Sequence, residues 1–311
     1  MTPPRSKTLL FLPAAAALMG CSANVASSAE VADAEASPVT AVVVVERSTR
    51  FDDTAGNQTA QTSRGEAVAR FVRMRSGVVD DDALRMVGAA VDIPAAGTCT
   101  RVSSSGAGAT SAPVARAVEL LDIGAVSLEA EGAKTSFNAR RLPDVVDLVS
   151  GVVYTGRGEE PFPSRGRFVF RAGGPAAAAP AELEIAPFAI EAVIAGEPAD
   201  LRLNQDLAGQ SPTVLAASTP VELTWTSGAD ASDAVYVDIA SSAPRSVVTR
   251  CAFADAGHGV LPPSAIASDE GTLSVHRVHR EKFSSADGRA RGIESGEIRF
   301  DFARVVSFHR R

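Results

Sequence analysis

The chain has 311 residues, room for about two domains of ordinary size, with 45% apolar and 22% charged residues, the balance of a globular body. Its 30 basic and 37 acidic residues give a net charge of −7. That balance argues against nucleic acid as a partner, because phosphate binding wants a basic face, and against electrostatic adhesion to anionic lipid.

The chain opens with Arg5 and Lys7, then an apolar run over residues 8–18 (TLLFLPAAAAL), then Leu18-Met19-Gly20-Cys21. A positive start, a short apolar segment and small residues make a secretory signal. The run is too short for a membrane-spanning helix, which needs about 20 apolar residues. The arrangement resembles the lipobox of bacterial lipoproteins, in which a branched apolar residue stands three positions before an invariant cysteine and a small residue directly precedes it. Met19 is larger than the usual occupant of its position.

The resemblance implies cleavage between Gly20 and Cys21 and acyl chains of the palmitate type on Cys21. The cell envelope is then the expected location, and Ser22 in place of Asp favours the outer membrane. Loss of residues 1–20 removes Arg5 and Lys7 and no acid, leaving 28 basic against 37 acidic residues, a charge of −9. The high arginine, alanine and valine content resembles that of lipoproteins from GC-rich Gram-negative bacteria.

Residues 21–38 hold the lipidated cysteine and a small, polar, acidic stretch with no periodic apolar face, so a disordered tether is expected. As a flexible coil it spans about 23 Å and sets the body just off the lipid. Residues 39–171 read as a β-rich domain of open topology. Strands are expected at residues 40–46, 68–75 and 167–171, and at 148–155 by its β-branched content. Asp80, Asp81 and Asp82 precede residues 83–87 and Gly88, the pattern of one short helix with acid at its start. Val114, Val118 and Leu121 fit helical spacing, whereas Val126, Leu128 and Ala130 alternate like a strand.

Residues 172–181 (AGGPAAAAPA) read as a linker. Beyond it, residues 182–311 hold seven short runs bounded by turn residues, at 183–190, 199–203, 221–226, 234–239, 247–253, 272–278 and 297–302, the pattern of a β-sandwich. Leu223-Thr224-Trp225, a Gly/Asp turn and Val235-Tyr236-Val237 resemble the core tryptophan region of fibronectin type III and immunoglobulin-like modules. The expected fold class is all-β, with two β-sandwich-like domains.

With Cys21 lipidated, Cys99 and Cys251 remain, and an oxidising compartment favours a disulfide between them. Of the four histidines, His276 and His279 fall on a strand, where an odd offset sends them to opposite faces as solvated side chains. His258, in Asp255-Ala256-Gly257-His258-Gly259, reads as a turn residue, and His309 carries no pattern. Asp80–Asp82 lack the spacing of a calcium loop, and Gly106-Ala107-Gly108 lacks the third glycine and lysine of a phosphate cradle. Trp225 is expected in the core, which weakens any stacking platform for sugars. No metal, cofactor or catalytic residue is expected.

The expected function is that of a non-enzymatic envelope lipoprotein with a structural or interaction role. Its partners are the membrane, through the N-terminal lipid, and a protein of the envelope. An envelope hydrolase with a dispersed site, or a small-ligand or glycan-binding module, are the alternatives.

Overall fold

Alternation of apolar and polar residues at period two organises the body into strands. The computed structural model describes residues 38–52, 60–74, 78–102, 117–145, 148–157, 162–173, 185–209, 213–242 and 248–311. The expected signal, Gly20, Cys21 and the tether up to residue 37 lie outside the described residues, as do Gly106, Gly108, Val114 and residues 174–181 of the expected linker.

The first half carries β1 (Val39–Asp52), β2 (Ala60–Met74), helix α1 (Asp81–Met86) and β3 (Cys99–Val102). It continues with β4 (Val118–Leu120), β5 (Val126–Ala130), β6 (Ala133–Ser136), β7 (Asn138–Val145), β8 (Val149–Gly156) and β9 (Gly166–Ala172). Then come β10 (Phe188–Ile194), β11 (Ala199–Leu203), β12 (Asp206–Leu207), β13 (Thr213–Leu215) and β14 (Val221–Thr226). The chain closes with β15 (Ala234–Ser241), β16 (Val248–Ala254), β17 (His258–Leu261), β18 (Glu270–Phe283) and β19 (Ser295–Arg310). The fold is all-β, as expected.

Eleven strands form one large sheet in the order β3-β16-β15-β18-β19-β1-β2-β4-β8-β7, with β13 also beside β19. Its axis is the parallel pair β1–β19, in register from Thr40↔Ser295 to Phe51↔Val306. Where β1 leaves off, β13 continues along β19 at Phe308–Arg310. Two four-stranded sheets, β10-β9-β5-β6 and β12-β11-β14-β17, complete the molecule.

Both small sheets stack on the same face of the large one. On β19, Ile298, Phe300 and Phe302 enter one apolar core with Phe168, Phe170 and Ile190, while Val306 and Phe308 enter a second with Leu201, Leu223 and Trp225. These β19 residues are spaced by two or by four, so they share one side of the strand. The opposite side of β1 is covered as well: Val42 and Val44 pack with Ala89, Leu84 and Val87 at α1. A strand buried on both faces has to read as an unbroken apolar run, which is why residues 41–45 are Ala-Val-Val-Val-Val.

The two sandwich cores do not divide at residues 172–181. β10, beyond that stretch, completes the small sheet of the first core, and β3, before it, forms the edge beside β16. Residues 37–311 make one compact unit in place of separate domains at 39–171 and 182–311. The reason is β18 and β19, of 14 and 16 residues, which are long enough to run under both small sheets. The immunoglobulin-like expectation for residues 182–311 therefore describes one layer pair of a larger sheet, with Trp225 in its core at 5% exposure.

Candidate functional site

Between the two apolar cores the large sheet carries charge. Along β18, Leu273 and Val275 face the second core and Phe283 the first, and Arg277 and His279 stand between them on the same side, both buried. β1 brings Arg47 and Thr49 to this seam, and residues 195–198, which cross from β10 to β11, bring Glu197. Gly196 permits that crossing: its φ is +93°, and a Cβ there would stand 2.2 Å from the Ser164 carbonyl oxygen.

The two arginines of the seam are well supplied with acceptors. Arg47 donates to Glu197 at 2.7 Å, to Thr49 at 2.7 Å and to the Phe162 carbonyl at 2.8 Å. Thr49 donates to the same Glu197 oxygen at 2.8 Å. Arg277 grips Asp255 at 2.8 and 3.2 Å and reaches the carbonyls of Gly196 and Thr226 at 3.0 and 2.5 Å. Asp255 also accepts from the Trp225 indole at 2.6 Å and from the Gly228 amide at 2.7 Å. Such a pair survives burial because hydrogen bonds saturate both partners.

The seam ends at His279, whose Nδ1 lies 2.8 Å from Asp233 Oδ1 and 3.7 Å from Asp230 Oδ2. The Asp233 hydrogen bond holds the ring's pKa above its ordinary value, against the opposing effect of burial. His276 lies on the other face, where its Nδ1 meets Asp301 at 2.7 Å and its ring stacks on Tyr236 at 4.2 Å. Tyr236 donates to the second Asp301 oxygen at 2.6 Å, and Arg250 covers the tyrosine ring while pairing with Asp238 at 2.7 Å. Burial raises the Asp301 pKa, but the His276 charge and the hydrogen bonds from His276 and Tyr236 outweigh it and leave the carboxyl below its usual range.

The opposite-face expectation for His276 and His279 matches this placement, but their expected solvation does not: His279 is 7% exposed, and each ring is held by a carboxylate. The physical reason is the width of the sheet, since β18 lies inside it and both of its faces are covered. His258 opens β17 at the surface, with Nδ1 3.4 Å from the Ala256 carbonyl, and exposed His309 faces Glu270 at 3.6 Å. Asp80 caps α1 by accepting from the Ala83 amide at 3.0 Å. Cys99 and Cys251 form a disulfide, directly opposite each other across β3 and β16. It ties an edge strand to its neighbour within one sheet.

A mixed-charge cleft of about 480 Å³ opens on the helix side, with Arg85, Arg280 and Lys282 facing Asp81, Asp92 and Glu297. Trp225, Tyr154 and Tyr236 are buried, at 5%, 1% and 3% exposure. Sequence reasoning passed over Arg47, Glu197, Asp255, Arg277 and Asp233. The available signal was phase, because Arg277 shares its side of β18 with Leu273 and Val275 and so has to enter the interior. No protein-family model, no curated protein and no solved structure matches this chain.

Proposed function

We propose that the protein is an envelope lipoprotein, anchored through Cys21, whose β-sandwich body has a structural or interaction role without catalysis. The anchor rests on the sequence at Leu18-Met19-Gly20-Cys21. The role rests on one observation: the polar handles of Trp225, Tyr154, Tyr236, Arg47 and Arg277 are spent inside the molecule. Trp225 binds Asp255, Tyr154 binds Asp122, Tyr236 binds Asp301, and Arg47 and Arg277 bind Glu197 and Asp255. The exterior carries ion pairs such as Arg157–Glu66, Arg167–Glu191 and Arg171–Glu129.

A hydrolase is the second reading, favoured by the Asp301–His276 pair, since a carboxylate on Nδ1 is how a general base is oriented. Among the described residues no serine, threonine or cysteine side chain hydrogen-bonds to that ring. A panel of ester, amide and glycoside substrates, assayed with the wild-type chain and His276→Ala, separates the two readings. The structural role predicts no turnover by either; turnover that His276→Ala abolishes would replace it with the hydrolase.

A further inference from the structure

The turn joining β14 to β15, residues 227–233, carries two carboxylates over the buried end of the charged seam. Asp230 is at the surface, with its Oδ1 fixed by the Ser232 amide at 2.8 Å and the Ser232 hydroxyl at 2.7 Å. Its Oδ2 is thereby left toward His279 Nδ1, 3.7 Å away. Asp233 is 4% exposed; Oδ1 faces the same nitrogen at 2.8 Å, and Oδ2 has no hydrogen-bond partner among the described residues. A buried carboxylate oxygen without a donor is costly, and this one belongs to a group already aimed at an imidazole nitrogen. Gly228 keeps the approach clear, because a Cβ there would come within 3.0 Å of Asp233 Oδ2.

We propose that Asp230, Asp233 and His279 bind a divalent transition-metal ion of the zinc class. One donor atom from each residue falls within 4.8 Å of the others. Two ligands at about 2.1 Å from one ion stand roughly 3.0–3.4 Å apart for right-angled to tetrahedral geometry. The 2.8 and 3.7 Å from His279 Nδ1 bracket that range, and the two carboxylates, within 4.8 Å of one another, draw together by up to about 1.4 Å on binding. On binding, His279 Nδ1 gives up to solvent any proton it shares with Asp233, and its lone pair takes the metal bond. Nε2 keeps its hydrogen; it has no hydrogen-bond partner among the described residues, and the Glu281 carboxylate, 4.0 Å away, would have to close in to accept it.

The donor set selects the ion. Two carboxylates match a divalent charge, and an imidazole nitrogen favours zinc, cobalt or nickel over calcium or magnesium. Three protein ligands, one of them on the surface, leave a position for water. The ion would clamp the turn at residues 227–233 onto β18, across the end of both cores. None of this depends on the lipid anchor or on the absence of catalysis.

The test is calorimetric titration of the full chain, in detergent, with Zn²⁺ alone. Co²⁺ added in its place reports the ligand field by visible absorption. The proposal expects one ion per chain, and at least the roughly tenfold weakening that loss of even an outer-sphere partner causes when exposed Asp230 becomes Asn. The metal-free unfolding midpoint of Asp230→Asn should match wild type, separating ligand loss from misfolding. The proposal is overturned if wild type takes up no stoichiometric ion, as an ordinary Asp233–His279 ion pair predicts. It is equally overturned if Asp230→Asn binds as tightly as wild type, which would place the ion elsewhere.

Discussion

Arg277 and Asp255 stand at 4% and 2% side-chain exposure, so neither can shed its charge to water when the other is removed. Breaking such a pair leaves an uncompensated buried charge, and Arg277→Ala should cost about 3–5 kcal/mol, read from the shift in the urea midpoint. Adding Asp255→Asn to Arg277→Ala removes the unpaired charge and keeps an acceptor near the Trp225 indole, so it should recover part of that loss, and a double variant less stable than the single one would contradict the argument. Asp301 supplies the pH dependence. Its carboxyl sits below the ordinary range in the folded state, so its stabilisation is present above the unfolded value, about 3.9, and drains away as pH falls through the folded one. Asp301→Asn should therefore lower the melting temperature at pH 7 and lose that deficit as the pH falls below the ordinary carboxylate range. A deficit unchanged with pH would show that Asp301 contributes packing alone.

Strands with one wet face announced themselves, and those at edges did not. The expected runs at 199–203 and 221–226 coincide with β11 and β14, whose residues alternate between buried and exposed. β3 is exposed along most of its length, and β7 carries Arg140, Arg141 and Pro143 on the outermost strand, so neither shows an apolar period. Charge and proline at an edge discourage pairing with another chain and hide the strand from periodicity. The pairing of β1 with β19 joins Thr40 to Ser295, a contact that no local pattern encodes. The charged seam was unreadable for the same reason, since Arg47, Glu197, Asp255 and Arg277 come from separated elements. The disulfide was legible as a pair but not as a device. It closes 152 residues of chain, nominally about 5 kcal/mol of unfolded-state entropy, yet in the native sheet it anchors the four-residue edge strand β3. Replacing Cys99 and Cys251 by serine should lower the unfolding midpoint and raise amide exchange first in β3. An unchanged midpoint would mean that the bond adds nothing beyond the ladder.

At the scale of the whole molecule, two sandwiches share one continuous sheet, and the N-terminal strand β1 lies at its centre, beside β2 and β19. The proposed acylation site, Cys21, stands 18 positions before Val39 in the sequence. Several acyl chains make such an anchor firm, since each buried methylene contributes roughly 0.8 kcal/mol and one chain alone is marginal. The most direct measurement is mass spectrometry of the N-terminal peptide of the protein purified from membranes, alongside Cys21→Ser. The account predicts a chain that starts at Cys21 and carries acyl groups, with the variant unacylated and released from the membrane fraction. An unmodified Cys21 inside a longer or differently cleaved N-terminus would contradict it.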